Sequence, residues 1–370
     1  MPLIIASLLA LAAATPATAA APTPPPATAE IAHTTAAGAA NVVTFRSWQR
    51  STAQALSHSA DPRDRALASD LLVFVSGLDR HGLPSQNFGA LLREAAKAAP
   101  SDALIQFMWA QSSPLTSGCD RAAPCPERAQ AMARLQPDNA VAWVPVVAAA
   151  WKAGDAAAID AALARMAQAT GHESPLSASL PAWLDVIRRY PLPRSSVTQE
   201  GASVQSPQAK AFQVAMAMSS AQIPAYDGLI RSCDRAAQPR ASAARFADCA
   251  RIGRNMLTHA DELIDRNIGS ALLRRSRQAT AADVQTARDN QWQQDQWNRL
   301  VGAKHDAAIA DRLVADWRQV GNEVGVMKLE LTRAGIPLQS PANWQLHDSH
   351  GRVVPPLGNV MPENVSTDRR

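Results

Sequence analysis

Lysine is scarce in this chain. It occurs five times in 370 residues, at positions 97, 152, 210, 304 and 328, and arginine carries most of the positive charge, a usage that reads as GC-rich base composition rather than as function. Aromatic residues are few as well: they make up 5% against 47% apolar residues overall, so alanine supplies much of the apolar count. Catalytic signatures are missing. There is no GxSxG elbow, no HExxH pair, no GxGxxG and no phosphate-cradling glycine loop. No C-x-x-C and no histidine pair beside a cysteine exists, which removes the common zinc spacings. Basic and aromatic residues do not interleave, and the net charge of +4 is spread among acidic residues, so a nucleic-acid surface is not indicated. Strand signals are nearly absent too. Val42-Val43-Thr44-Phe45 and Leu72-Val73-Phe74-Val75 are brief and sit in helix-like surroundings.

What remains is a pattern of helices. From Pro137 to Ala169 the chain reads as two helices joined by a tight turn. Pro137 cannot continue a helix, and Asp138 or Asn139 can cap the next one through a backbone N–H. Val141, Val144, Val147 and Trp151 recur at helical spacing. Gly154 suits a turn and Asp155 a second cap, after which Ile159, Leu163 and Met166 line one face. Each helix has an apolar face to bury, so one such unit implies neighbours.

This stretch resembles a tetratricopeptide repeat. Trp143 stands at the family's tryptophan and Gly154-Asp155 at its inter-helix turn, while Val146-Val147, Ala150, Ile159 and Leu163 replace the usual Leu-Gly, Tyr, Ala and Phe, and Gly171 falls at the closing proline. Degenerate copies lie upstream, since Pro62, Pro100 and Pro137 repeat at close to the family period. The middle copy would pair Leu104, Ile105, Phe107, Met108 and Trp109 with Ala129, Met132 and Leu135. The first would pair Leu67, Leu71, Leu72 and Phe74 with Leu91, Leu92 and Ala95. The resemblance implies that the first helix of each unit lines an inner surface, which makes Gln106, Gln111 and Lys152 candidate partner contacts.

The expected architecture is all-α: tetratricopeptide-like hairpins forming an α-solenoid over 41–171, then further C-terminal helices over 207–336. Residues 172–206 read as a proline-rich connection with one short helix, about 182–190. Thr280 and Asp283 resemble a capping box. Ile309, Leu313, Trp317, Val320, Val324, Met327 and Leu331 read as one long amphipathic helix packed on the Trp292 helix and ended by Gly335 and Pro337, with Gly321, Asn322 and Gly325 as a kink. Residues 337–370 read as an extended tail anchored by Trp344.

The N-terminus points to export. Leu3 to Ala14 is apolar but too short to span a membrane, and Ala17-Thr18-Ala19 is an A-x-A cleavage pattern, which gives a signal peptide over 1–19 and a disordered leader over 20–40. Met1-Pro2-Leu3 lacks a positive n-region. The even cysteine count fits an oxidising space, with sequential pairing of Cys119 with Cys125 and Cys233 with Cys249.

The chemistry-bearing residues are dispersed. His347 and His350 form the one close histidine pair, in the tail. His259, Asp261 and Glu262 read as a solvated helix face, and Glu94, Asp185 and Glu330 as lone carboxylates. No metal or cofactor is expected. The favoured function is a periplasmic or secreted helical-repeat protein that holds a protein or peptide in the bacterial envelope, without a membrane span after signal cleavage; the sequence leaves enzymatic activity open and favours its absence. The alternative is an enzyme acting on envelope polymers.

Overall fold

A computed structural model describes residues 31–78, 86–112, 125–193, 206–302, 307–345 and 353. Among them every regular element is helical, as the composition required: α1 Ile31–Ser57, α2 Pro62–Leu78, α3 Gln86–Ala98, α4 Ala103–Gln111, α5 Pro126–Leu135, α6 Val144–Ala153, α7 Ala156–Gln168, α8 Pro175–Arg189, α9 Pro207–Ser219, α10 Asp227–Ser232, α11 Ala243–His259, α12 Leu263–Ser276, α13 Ala281–Gly302, α14 Ala307–Val320 and α15 Glu323–Arg333. The signal-peptide reading, most of the leader, Cys119 and the His347–His350 pair lie outside the described residues.

The predicted punctuation of 137–169 is present in detail. Asn139 caps a short 3-10 turn, Ala140–Trp143, by accepting the Val141 N–H at 3.1 Å. The Trp143 indole N–H donates to the Pro137 carbonyl at 3.0 Å. Gly154 takes the left-handed conformation, φ +68°, that ends α6. Asp155 caps α7 through the Ala158 N–H at 2.9 Å. Downstream, Thr280 and Asp283 bond each other's backbone N–H reciprocally.

Consecutive helices from α1 to α7 pack largely on their neighbours in sequence. The rest of the chain then returns to cover them. One core joins α1 and α2 to α8, α9 and α14 through Trp48, Leu71, Leu180, Trp183, Phe212 and Trp317. A second joins α6 and α7 to α10, α11 and α12 through Val147, Leu163, Leu229, Ile252 and Leu272. Cys233 and Cys249 are disulfide-bonded inside that second core, each fully buried. Cys125 is disulfide-bonded as well.

Four expectations change. The leader boundary moves, because α1 begins at Ile31. Residues 172–206 are not merely a connection: Pro175 sits in the first turn of α8, where its missing N–H costs nothing, and the helix buries Leu180, Trp183 and Val186 completely. Pro181 inside α8 forgoes one backbone bond without ending the helix.

The long C-terminal stripe is two helices. Gly321 at φ +82° terminates α14, and Asn322 caps α15 by accepting the Gly325 N–H at 2.7 Å. Ile309, Leu313 and Trp317 therefore serve the α1–α8 core, while Val324, Met327 and Leu331 serve a separate cluster with Leu263 and Trp297. Packing of α15 on α13, the Trp292 helix, is as anticipated.

Finally, α6 does not line an open surface. Val144 to Ala150 are all buried, and α10 crosses so near that a Cβ on Gly228 would lie 2.9 Å from Ala148 Cα. A similar constraint brings α11 and α12 together, where a Cβ on Gly269 would meet the Gly253 carbonyl at 2.7 Å. Trp344 is an anchor: its ring stands edge-on to Trp292 at 5.7 Å, and Arg288 Nη2 donates to the carbonyls of Pro341, Ala342 and Trp344.

Candidate functional site

A cleft of about 60 Å³ opens where α4, α5 and the start of α8 meet the Ala140–Trp143 turn. Its walls are apolar: Leu104, Phe107, Met132, Val141, Ala142 and Pro175. Its rim is polar and carries Gln136, Asn139 and Glu173. The helical period explains the walls. Leu104 and Phe107 are three apart on α4 and turn the same face inward. Phe107, Met132, Val141 and Ala142 also share one small buried cluster, so the cleft is a gap in a packed layer rather than a loose surface.

Asn139 sets the rim. Its Nδ2 donates to Gln136 Oε1 at 3.1 Å and to the Glu173 carbonyl at 3.0 Å, while its Oδ1 accepts the N–H groups of Val141 and Glu173, both at 3.1 Å. Two backbone bonds run parallel to these, Ala140 N–H to Gly171 O at 2.9 Å and Gly171 N–H to Asp138 O at 2.8 Å. Gly171 suits this close approach, since a Cβ would stand 3.2 Å from Asp138 O and push the neighbouring backbone aside by a few tenths of an ångström. With its backbone clamped on both sides by Asn139, Glu173 is an exposed residue at the edge of the apolar cleft. Replacing Asn139 by alanine strands the buried Val141 N–H and the half-buried Glu173 N–H and removes the cap. Equilibrium unfolding is expected to show a loss of about 2–3 kcal/mol.

Behind this segment lies a buried polar cluster. His172 Nε2–H donates to Asp265 Oδ2 at 2.9 Å, and the Tyr226 hydroxyl donates to Asp265 Oδ1 at 2.6 Å, with both His172 and Asp265 side chains at 0% exposure. Burial, and then the Asp265 charge, push the Tyr226 hydroxyl well above its ordinary value. Ser177 Oγ donates to Glu262 Oε1 at 2.8 Å, and the Leu263 N–H donates to Glu323 Oε2 at 2.9 Å. Arg266 is spent on Asn290 at 2.8 Å and the Ala260 carbonyl at 2.9 Å. Glu262 is 1% exposed and Glu323 8%, so neither carboxyl reaches a substrate-sized space. The solvated-face reading holds for His259, which is exposed, and fails for Glu262. Glu330 is not a lone carboxylate either, since it is 1% exposed and pairs with both Arg312 and Arg333.

The three candidate contact residues fall elsewhere. Gln106 is buried, and its Nε2 donates to the carbonyls of Ala96 at 2.9 Å and Ala99 at 3.2 Å, closing the end of α3. Gln111 Oε1 accepts the Ala225 N–H at 2.9 Å, tying α4 to the approach to α10. Lys152 is exposed at the end of α6. None of the three lines the cleft.

Glu173 and the acid cluster were missed because Gly171-His172-Glu173-Ser174 carries no periodicity. The readable signal was Ser174-Pro175, a cap followed by an N1 proline, which marks a fixed helix entry. Among the described residues no group of three or more His, Cys, Asp or Glu could hold a metal ion, and no helix is long and apolar enough to cross a membrane. Comparison with known protein families, with curated proteins and with solved structures finds no match.

Proposed function

We propose that this is an exported helical protein that holds a peptide segment of a partner in the bacterial envelope, with the α4–α5–α8 cleft as the point of recognition. The observation that carries the reading is Glu173, backbone-clamped and exposed, at the edge of an apolar hole. A hole of that size takes one aliphatic side chain, and the carboxylate at its mouth pairs with a cation one or two residues away. The preferred ligand is thus a segment in which Leu, Ile or Val adjoins Lys or Arg. Export is supported by the signal-like N-terminus and by a disulfide of the kind that oxidising spaces preserve. The resemblance of 137–169 to tetratricopeptide repeats supports peptide holding, now at the unit's edge rather than along α6.

The polymer-cleaving alternative called for paired carboxylates in a groove. Glu262 and Glu323 are paired, but both are buried and neither lines the cleft.

Selection from a random heptapeptide display library on the immobilised mature protein tests the proposal. Enrichment of peptides with an aliphatic residue next to Lys or Arg is expected, and it should disappear with Glu173→Lys. Because Glu173 holds its place through backbone atoms, the variant should melt as the wild type does. Enrichment that survives Glu173→Lys would place recognition elsewhere.

A further inference from the structure

The buried carboxyl groups of Glu262 and Glu323 lie where three separate parts of the chain converge. Glu262 precedes α12 at the α11–α12 turn, and its Oε1 holds Ser177 of α8. Glu323 opens α15, and its Oε2 holds the Leu263 N–H. The Val324 N–H donates to the Asp261 carbonyl at 3.0 Å, so the first turn of α15 is stitched to the same corner. Below it, Leu263, Val324, Met327 and Leu331 form one apolar cluster.

The hydrogen-bond inventory of this corner does not close with both groups ionised. Glu262 Oε2 is buried and accepts no bond from any N–H or hydroxyl. Its neighbour is the Glu323 carboxyl, in hydrogen-bonding contact with it. Two carboxylates have acceptors only, and a bond between them needs a proton on one. The surroundings do not supply compensating charge. Asp265 faces the pair with negative charge and is itself occupied by His172 and Tyr226, and Asp261 is adjacent. Arg266 is directed at Asn290 and at backbone carbonyls, and Lys328 of α15 stands near Arg266.

We infer that Glu262 and Glu323 form a proton-sharing latch that fastens α15 and α8 to the α11–α12 turn in acid and loosens as the pH rises. Two like charges at hydrogen-bonding distance in a buried site cannot both ionise without separating. Burial raises both carboxyls; the Glu323 charge raises Glu262 further, while the bonds from the Leu263 N–H and Glu262 draw Glu323 part of the way back, so the shared proton resides mainly on Glu262. The sign follows from proton linkage. The folded state keeps a proton that the unfolded chain releases near the ordinary glutamate value of about 4.3. Stability is complete below that value and falls as the pH rises through the folded-state value.

The test is unfolding by urea from pH 5 to pH 8. The wild-type folding equilibrium constant should fall by up to about tenfold per pH unit for each extra proton held by the folded state. In Glu323→Gln the amide donates to Glu262 Oε2 without any proton and still accepts from Leu263, so the latch's share of the slope should vanish. Asp70 needs its own control. Burial pushes its carboxyl up to about 7 against the Gln222 amide, and it adds slope in the same direction at a different place. Asp70→Asn should therefore flatten the profile in part, and the double variant should be the flattest, keeping only the share of Asp261, whose carboxyl burial also raises. A Glu323→Gln profile parallel to the wild type would overturn the latch. Should Glu323→Gln fail to fold, infrared difference spectra of Asp70→Asn decide. A protonated-carboxyl C=O band that persists above the ordinary glutamate range and is absent from Glu262→Gln supports the latch, and no such band overturns it.

Discussion

Glu330→Ala is expected to lower folding stability by about 3 kcal/mol, near the lower end of the range for breaking a buried ion pair. Glu330 is 1% exposed, and its carboxylate accepts from Arg312 Nε at 3.0 Å and Nη2 at 2.7 Å. Arg333 joins it and also bonds Asp316 on α14, through Nη2 at 2.7 Å. The network is the main polar tie between α14 and α15 and compensates for the break at Gly321. Alanine leaves Arg312 without its carboxylate and Arg333 with Asp316 alone. The cost stays at the lower end because the side chains of Arg312 and Arg333 remain 43% and 41% exposed and can turn to water. Glu330→Gln keeps an acceptor and should cost less. The Arg333 hydrogen bonds hold the Asp316 carboxyl below its usual range, so this network contributes above the ordinary aspartate value and is lost as the pH falls through the depressed one. That is opposite in sign to the Glu262–Glu323 pair. Denaturant titration of the two variants at neutral pH measures the effect, and a negligible cost in both would show that the ion pairs contribute nothing.

Removing the Cys233–Cys249 bond is expected to cost about 3 kcal/mol through the freed entropy of the unfolded loop. The two residues are 16 apart, and the bond closes the polar turn between α10 and α11. Both sulfurs sit in the core that joins α6 and α7 to α11 and α12. The double alanine variant therefore also loses packed volume, whereas reduction of the wild type removes only the crosslink. Melting with and without reductant, alongside the variant, separates the two. A reduced protein that melts as the oxidised one does would show that the loop is already ordered without the bond.

The sequence was informative where local chemistry decides the outcome. Asn139, Gly154, Asp155 and the Thr280–Asp283 box could be read because a cap or a left-handed turn depends on a few adjacent residues. It was misleading where long-range packing decides. The apolar stripe from Ile309 to Leu331 keeps helical spacing across Gly321 because both helices need such a face, though for different cores. The break was written in Gly321-Asn322-Glu323, a terminating glycine followed by a cap. Pro175, Pro181, Pro191 and Pro193 resembled a connection, yet Pro175 opens a core helix and Trp183 is fully buried within it. Gln106 looked free on α4 because nothing local reveals that the end of α3 needs its amide. The acid cluster was invisible for the same reason, since its members come from positions 172, 226, 262, 265 and 323 and only tertiary structure brings them together.

Site-specific photo-crosslinking tests the recognition cleft most directly. Ala178 lines the cleft yet is exposed, so a benzoylphenylalanine there samples its occupant without disturbing the core. Ala157, exposed on α7 and absent from the cleft lining, is the control position. Irradiation of cells producing each variant should give one defined adduct from position 178 and none from 157. The adduct should map to a partner segment that sets an aliphatic residue beside Lys or Arg, and it should be lost when Glu173→Lys is added. No adduct at 178, or the same adducts from both positions, would contradict recognition at the cleft.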